Sequence, residues 1–130
     1  GAKISDAGMI ALSKGLPQAL QQLILTVDAT QVSDSGVTAL AKCLPTLLEH
    51  LEIRLDDTKV SDAGAVALGK GLPQGLQHLD ICLAATAVSD TGGIALIQGL
   101  PQKLKYLRAD LLGTKVSEEA KGRMWKVAAK

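Results

Sequence analysis

Hydrophobic positions along the chain follow two patterns that alternate and recur every 28 residues. In one part of each unit, apolar residues recur at the spacing of a helix with one buried face. In the other part they occupy every second position, which is the pattern of a strand with one buried face. Val60, Leu68 and Leu72 illustrate the first pattern, and Leu51 and Ile53 the second. Each unit is therefore predicted to consist of one helix followed by one strand.

A short motif repeats with the same period at the start of each predicted helix. Val60-Ser61-Asp62-Ala63-Gly64 has counterparts that begin at Ile4, Val32 and Val88, with a degraded copy from Val116. Because self-similarity at a fixed period marks a repeat architecture, we predict one domain over residues 1–130. Its repeats start near residues 4, 32, 60 and 88, and the unbroken period leaves no room for a linker.

The residues of this motif suit the start of a helix. A serine oxygen such as that of Ser61 can accept a hydrogen bond from the unpaired amides of the first turn. Asp62 places a negative charge at the positive end of the helix dipole. Gly64 lies at the third helical position, where glycine costs about 1 kcal/mol relative to alanine, so we expect it to pack closely against a neighbouring backbone. The predicted helices begin after Ser5, Ser33, Ser61, Ser89 and Ser117.

The alternating segments predict four strands, near residues 20–27, 48–55, 76–83 and 104–111. In the second of them Leu51 and Ile53 face one way, so His50, Glu52 and Arg54 must face the other. One helix and one strand cannot bury both apolar faces by themselves, whereas stacked copies can. We therefore predict an α/β solenoid with a parallel sheet on one side and helices on the other.

Two segments of each unit together resemble a known repeat. Leu48-x-x-Leu51-x-Ile53, followed by Val60-Ser61-Asp62-Ala63-Gly64, is similar to the repeat of leucine-rich-repeat proteins, specifically their ribonuclease-inhibitor-like class. The resemblance covers essentially the whole chain. It implies a leucine-rich-repeat solenoid, a curved right-handed superhelix with the parallel sheet on its concave side and the helices on its convex side.

The chain departs from that family in the turn after each strand. The family places Asn or Cys three residues after the third leucine of its motif, whereas Asp56 and Ala84 occupy this position in two repeats here. Two residues later each repeat has a threonine, and we expect its hydroxyl to make the loop hydrogen bonds that the family's Asn makes. These threonines are Thr30, Thr58, Thr86 and Thr114.

The resemblance also implies a binding face, since the family usually binds through the strand residues that line the concave side. These residues form three rows in which neighbours are expected to lie about 4.8 Å apart. Their chemistry varies strongly between repeats, which favours a protein partner over a surface needed only for solubility. The rows are Gln22, His50, His78 and Tyr106; Ile24, Glu52, Asp80 and Arg108; and Thr26, Arg54, Cys82 and Asp110.

We therefore predict a protein-interaction module that binds its partner through all of these residues except Thr26. Tyr106, Arg108 and Arg54 are the expected anchors, because tyrosine and arginine dominate interface energetics. Two alternatives remain open. The exposed positions vary freely without a partner, or the chain is a scaffold or oligomerisation segment that makes its contacts through the repeat ends. Ribonuclease inhibition is not implied, because a fold does not carry a function.

Two groups of side chains raise the question of metal binding or catalysis. His50 and His78, the two histidines of the sequence, are expected to lie side by side with Glu52 and Asp80 close by, and imidazole and carboxylate are metal-ligand types. Since no supporting partners are recognisable in the sequence, we expect ordinary exposed side chains and no metal or other cofactor. Cys82 is predicted to face outward near Arg54, which would modestly lower the pKa of its thiol. No histidine–carboxylate relay accompanies this cysteine, so we expect no enzyme.

Charge and composition exclude some partners and favour one location. The 14 basic and 13 acidic residues nearly cancel, so no electrostatic field gathers nucleic acid. Lys14, Lys42 and Lys70 instead suit the negative ends of helix dipoles. The apolar runs are too short to cross a bilayer, so no membrane contact is expected. Two cysteines at unrelated repeat positions form no disulfide framework, and without Asn there is no N-glycosylation acceptor, which favours an intracellular, cytoplasmic location.

The two ends of the array are expected to differ. The last repeat is predicted to form a capping helix over residues 117–129, because Arg123 stands where the other helices have an alanine that stacking is expected to bury. Met124 and Trp125 are expected to cover the preceding repeat. The first helix has no polar replacement of this kind. We therefore expect a fragment of a longer array whose N-terminal end exposes apolar surface, which self-association would cover.

Overall fold

The structure, a computed structural model, describes the backbone of residues 4–128 and the side chains of residues 4–123. Helices and strands alternate along this part of the chain. Every helix begins at the residue after its predicted serine, and none of the described helices is long and apolar enough to cross a membrane. The elements are α1 Asp6–Lys14, β1 Gln22–Thr26, α2 Asp34–Cys43, β2 His50–Arg54, α3 Asp62–Gly71, β3 His78–Cys82, α4 Asp90–Gly99, β4 Tyr106–Asp110 and α5 Glu118–Ala128.

The four strands form one parallel sheet in the order β1-β2-β3-β4. Each lies inside its predicted segment. Residues one repeat apart are paired, so that His50 lies opposite His78 and Arg54 opposite Cys82. The helices pack on one another in the same order. These observations confirm the predicted α/β repeat solenoid.

The core lies between the helices and the inward side of the sheet. Leu51 and Ile53 of β2 are fully buried, and Leu40 of α2 and Leu68 of α3 belong to the same buried cluster. Leu55, just beyond β2, is also fully buried. The strands are thus shorter than the apolar segments that predicted them, because the flanking leucines extend the core without joining a strand.

Helix N-termini are capped between repeats rather than within them. The serines before α1, α2, α3 and α4 make no side-chain cap to their own helices, so the predicted serine cap is wrong there. Instead, Asp34 Oδ1 accepts hydrogen bonds from the amides of Ser61 (2.7 Å) and Gly64 (2.9 Å) in the next repeat. Ser61 Oγ donates to the other carboxylate oxygen. Asp6 and Asp62 make the same three bonds, and we call this arrangement the aspartate bridge.

The chemical advantage of the aspartate bridge lies in its acceptor. A carboxylate offers two charged oxygens, whereas a serine hydroxyl offers one neutral oxygen, and hydrogen bonds to charged acceptors are about twice as strong. One aspartate therefore satisfies two amides at the start of a helix and also holds the hydroxyl of the serine before it.

The glycine at the third helical position makes space for the aspartate bridge. A Cβ on Gly64 would lie 2.6 Å from Asp34 Oδ1 and 3.5 Å from Asp34 Cα, which confirms the predicted close approach. In α5 this glycine is replaced by Ala120. Asp90 there binds the amide of Ser117 at 2.6 Å, and the amide of Ala120 donates to Ser117 Oγ at 3.2 Å. The serine cap is thus found where a Cβ occupies the place of the carboxylate.

The turn after each strand is held by its threonine, as predicted. In all four repeats the hydroxyl donates to the carbonyl three residues earlier, at 2.6 to 2.7 Å. Three of the residues before these threonines, Ala29, Asp57 and Ala85, have φ of 55° to 56°. This left-handed conformation costs roughly 1–2 kcal/mol for an L-residue. Each of the three amides donates to a carbonyl of the following repeat at 2.9 Å, which offsets that cost.

Helices α3 and α4 approach with backbone against backbone. A Cβ on Gly99 would lie 2.7 Å from Gly69 Cα and closer still to the Gly69 carbonyl. A Cβ on Gly69 would lie 3.0 Å from the carbonyl carbon of Ala95. The absence of side chains at these two positions therefore sets the distance between the helices.

The interpretation of Arg123 as a replacement for a buried alanine is wrong. Arg123 and Ala11 are exposed, and the other alanines at this position, Ala39, Ala67 and Ala95, are partly exposed. In α2, α3 and α4 a fully or almost fully buried leucine follows this alanine one residue later, and successive helical residues point about 100° apart. The alanines therefore lie at the edge of the buried face rather than between repeats. Met124 and Trp125 lie outside the described side chains.

Candidate functional site

The outward residues of the four strands form one surface, which we call the sheet face. Strand pairing places its three rows in the predicted register. Cys82 is buried, whereas the other residues are exposed or partly exposed. The first row is Gln22, His50, His78 and Tyr106; the second is Ile24, Glu52, Asp80 and Arg108; the third is Thr26, Arg54, Cys82 and Asp110.

The first row contains a stack of rings. The rings of His50 and His78 are within 8° of parallel, and their centroids lie 3.9 Å apart. Tyr106 stacks on the other side of His78, with a centroid distance of 4.2 Å and an angle of 13°. Neighbouring strands lie about 4.8 Å apart, so flat side chains that extend from paired positions come into ring contact. The sequence predicted the neighbours, and the structure adds their parallel stacking.

Glu52 lies close to both histidines. Its Oε1 is 2.9 Å from His50 Nε2, which is hydrogen-bond distance, and 3.7 Å from His78 Nε2. The three side chains are 29% to 34% exposed. His78 Nε2 itself is shielded from solvent and has no hydrogen-bond partner among the described residues. Sequence reasoning predicted that Glu52 lies near both histidines but not how closely its carboxylate approaches their Nε2 atoms, because the register gives the position of a side chain and not its rotamer.

Arg54 and Arg108 are the exposed cations of the sheet face. Arg54 Nη2 lies 3.5 Å from Asp56 Oδ1, and Arg108 Nη1 lies 3.7 Å from Asp80 Oδ2. The two arginine side chains are 56% and 60% exposed. Ion pairs at such exposure contribute at most about 1 kcal/mol. Both guanidinium groups can therefore exchange these partners for a carboxylate of another molecule.

A depression of about 210 Å³ lies over the second and third rows. Both arginines line it, together with carboxylates of the same rows and the apolar side chain of Ile24, which is 54% exposed. Charges of both signs therefore surround a small apolar area. This mixture suits a protein surface with its own charges of both signs better than a uniformly charged polymer.

The prediction of a lowered thiol pKa at Cys82 is wrong. The residue is 8% exposed, and burial raises the pKa of its thiol. The hydrogen bond from the Ala84 amide lowers this pKa, the carboxylates of Asp56 and Asp110 raise it, and the net effect is a raised pKa. Cys82 is a short side chain paired in register between Arg54 and Asp110, so its longer neighbours cover it. A thiol that stays protonated at neutral pH is a poor nucleophile.

The helix side of the solenoid offers less chemistry. Lys14, Lys42 and Lys70 are exposed in the last turns of α1, α2 and α3, where they suit the helix dipoles as predicted. Between α2 and α3 lies a groove of about 410 Å³, lined by small and aliphatic side chains and two of these lysines. No carboxylate, imidazole or thiol lines that groove, so the sheet face is the stronger candidate.

The helix–strand units stack through a parallel sheet and form an α/β repeat solenoid. This architecture is compatible with a fold of the leucine-rich-repeat type. Comparison with known proteins supplies no family for it: the sequence matches no protein-family model and no curated protein.

Proposed function

We propose that this chain is a leucine-rich-repeat protein of the ribonuclease-inhibitor-like class that binds a protein partner through the sheet face. The observation that carries the proposal is the concentration of exposed tyrosine and arginine on this face. Tyr106, Arg54 and Arg108 are 47%, 56% and 60% exposed, the last two as side chains. Residues of these types dominate the energetics of protein interfaces. The buried, protonated thiol of Cys82 agrees with binding rather than catalysis.

The first test replaces both arginines. Arg54→Ala together with Arg108→Ala is expected to weaken the complex by on the order of 2 kcal/mol or more, because both guanidinium groups are available to pair with partner carboxylates. That loss corresponds to a dissociation constant roughly 30 times larger. The partner is first captured on the immobilised full chain from the native source and identified by mass spectrometry, and its affinity is then measured by calorimetry. The melting temperature is expected to stay unchanged, since both side chains are exposed.

A double variant on the helix side provides the matched control. Lys42→Ala together with Lys70→Ala also removes two positive charges from an exposed surface, as the arginine variant does. It is expected to leave the affinity for the partner unchanged. Equal weakening in both double variants would indicate an effect of net charge. An unchanged affinity in the arginine variant would place the interface elsewhere. Either outcome would contradict the proposal.

A second candidate function is self-association through the first repeat. Leu23 and Leu25 of β1 are partly exposed, whereas the equivalent Leu51 and Ile53 are fully buried, and Leu12 of α1 is 38% exposed. Among the described strands, β1 pairs on one side only, and an unpaired strand edge is a template for further pairing. A second copy that packs on this end would cover both the apolar side chains and the edge.

Sedimentation velocity over a range of concentrations tests this second candidate. We expect a concentration-dependent dimer that Leu12→Lys weakens, because the substitution places a charge in the proposed contact. The double arginine variant should dimerise like the parent, since its substitutions lie on another surface. A protein that stays monomeric at its highest soluble concentration, or a Leu12→Lys variant that dimerises normally, would exclude self-association through this end.

A further inference from the structure

We propose that His50, Glu52 and His78 form a binding site for one divalent transition-metal ion, of which Zn²⁺ is the best-fitting example. The sequence alone favours ordinary exposed side chains at these positions. The geometry of the first two rows points the other way, because it brings two imidazole nitrogens and a carboxylate oxygen together on adjacent strands. The three residues also belong to the sheet face, but the metal site does not depend on whether that face binds a protein partner.

The separations of the ligand atoms fit a tetrahedral zinc site. Bonds of about 2.0–2.2 Å to nitrogen and oxygen, at tetrahedral angles, place ligand atoms roughly 3.3 Å apart. Glu52 Oε1 lies 2.9 Å from His50 Nε2 and 3.7 Å from His78 Nε2, one distance on either side of that value. The three atoms all lie within 4.8 Å of one another. A metal ion binds an imidazole nitrogen in the plane of its ring, so the His50 and His78 rings must turn out of their parallel stack for one ion to bind both.

The hydrogen bonding of the two rings also fits a metal ion. His78 Nε2 is shielded from solvent and has no hydrogen-bond partner among the described residues, and an unsatisfied polar atom of this kind is unfavourable. A metal ion would give this nitrogen a partner. His50 Nε2 donates a hydrogen bond to Glu52 Oε1. On binding, the ion takes the place of the proton on His50 Nε2, and the neutral ring changes tautomer through solvent so that its proton lies on Nδ1, with no net release of protons.

The scaffold holds the ligands in place before an ion arrives. His50 and His78 are paired in register on β2 and β3, and Glu52 lies two residues after His50 on the same strand. His78 is held between the rings of His50 and Tyr106. Ligands placed on strands are positioned more accurately than ligands on loops.

The ligand set also selects the class of metal. Two imidazole nitrogens and one carboxylate suit zinc and its neighbours among the divalent transition metals, whereas Mg²⁺ and Ca²⁺ prefer oxygen ligands. Three protein ligands leave a fourth position for water.

Calorimetric titration of the full chain with Zn²⁺ tests the site. We expect one ion to bind per chain, and Mg²⁺ to show no binding under the same conditions. His78→Ala and Glu52→Gln should each weaken Zn²⁺ binding more than about tenfold, the lower end of the effect of losing even an indirect partner of a metal ligand. Asp80→Asn is the matched control. It removes a carboxylate from the same row as Glu52 but outside the ligand set, and it should leave the affinity nearly unchanged.

Nitrogen NMR of the unmodified protein gives a readout that does not depend on any variant folding. The sequence has two histidines, so two sets of ring signals are expected, and one equivalent of Zn²⁺ should shift the Nε2 signals of both rings. Three results would overturn the proposal. These are the absence of stoichiometric binding, ring signals that do not respond to Zn²⁺, and equal Zn²⁺ affinity of the parent and a folded His78→Ala variant.

Discussion

Replacing Gly99 with alanine is expected to lower the free energy of unfolding by about 3 kcal/mol, the upper part of the range for overpacked sites. A Cβ at this position would meet the backbone of Gly69, including its Cα at 2.7 Å, and a backbone cannot rotate away as a flexible side chain can. Helices α3 and α4 must therefore separate to accept one methyl group. Thermal unfolding should show a fall of roughly 10 °C in the melting temperature, given the usual relation for a domain of this size.

Gly75→Ala is the control for that experiment. No heavy atom of the described residues lies within 4 Å of a Cβ built on Gly75. Alanine at such a site should leave stability unchanged or raise it by up to about 1 kcal/mol, because it restricts the unfolded chain. If Gly99→Ala melts at the same temperature as the parent, the close backbone contact between α3 and α4 is not a constraint on the fold.

Replacing Asp62 with alanine is expected to destabilise the protein by about 3 kcal/mol. The substitution removes an aspartate bridge, in which the carboxylate accepts bonds from the amides of Ser89 (2.7 Å) and Gly92 (2.9 Å) and from Ser89 Oγ. Hydrogen bonds to a charged group contribute about 1.5–3 kcal/mol each, and the loss of a helix cap alone costs about 1 kcal/mol. Unfolding in urea gives the change directly.

Asp90→Ala is the matched control, because the chain itself supplies a weaker version of the same contact. Asp90 occupies the equivalent position one repeat later, but it accepts a bond from one group of the next helix, the Ser117 amide. We therefore expect Asp90→Ala to destabilise the protein by about 1 kcal/mol, close to the loss of one cap. Equal effects of the two substitutions would contradict the importance of the bonds to Gly92 and to the serine hydroxyl.

The aspartate bridges also predict how stability depends on pH. Burial raises the pKa of Asp62, but the hydrogen bonds from Ser89 and Gly92, together with the charge of Lys115, outweigh it and bring the pKa below its ordinary value. Burial also raises the pKa of Asp6, but the hydrogen bonds from Ser33 and Gly36 outweigh it, so this pKa too lies below its ordinary value.

A carboxyl group with a lowered pKa in the folded state binds protons less readily than it does in the unfolded chain. The stability it contributes is complete above the unfolded pKa of about 3.9. This stability is lost as the pH falls through the lower folded pKa. The urea midpoint of the parent should therefore be nearly constant down to about pH 4 and fall below it. Asp62→Ala should lose less stability over the same interval.

Periodicity predicted the fold well, because every repeat must bury one apolar face of its helix and one of its strand. The alternation of Leu51, Ile53 and Leu55 identifies the buried side of a strand, and its recurrence aligns each strand with the next. The rows of the sheet face were correct for the same reason, down to the pairing of His50 with His78. The threonine bonds in the turns were also predictable, since a hydroxyl recurs where the backbone needs a local partner.

The errors arose where contacts cross from one repeat to the next. Ser61 is suited to cap its own helix. Its sequence neighbours do not reveal that it binds instead to the carboxylate of Asp34, 27 residues earlier. The same limit explains Cys82, which alternation correctly placed on the outer side of β3. Its burial depends on the lengths of Arg54 and Asp110, which lie one repeat away on either side. Packing between repeats decides which side chains of neighbouring repeats meet and which rotamers they adopt. The pattern of residues within one repeat does not reveal this packing.

The aspartate bridge also bears on how such an array can change in length. A middle repeat carries both halves of the connection, a carboxylate for the repeat that follows and a serine–glycine pair for the aspartate of the repeat before it. If any 28-residue unit among the matching copies is removed or duplicated, the new junction therefore still brings an aspartate to a serine–glycine pair. At the aspartate bridge, the gain or loss of a whole unit by recombination needs no compensating substitution, and a sheet face of altered width would follow from one such event.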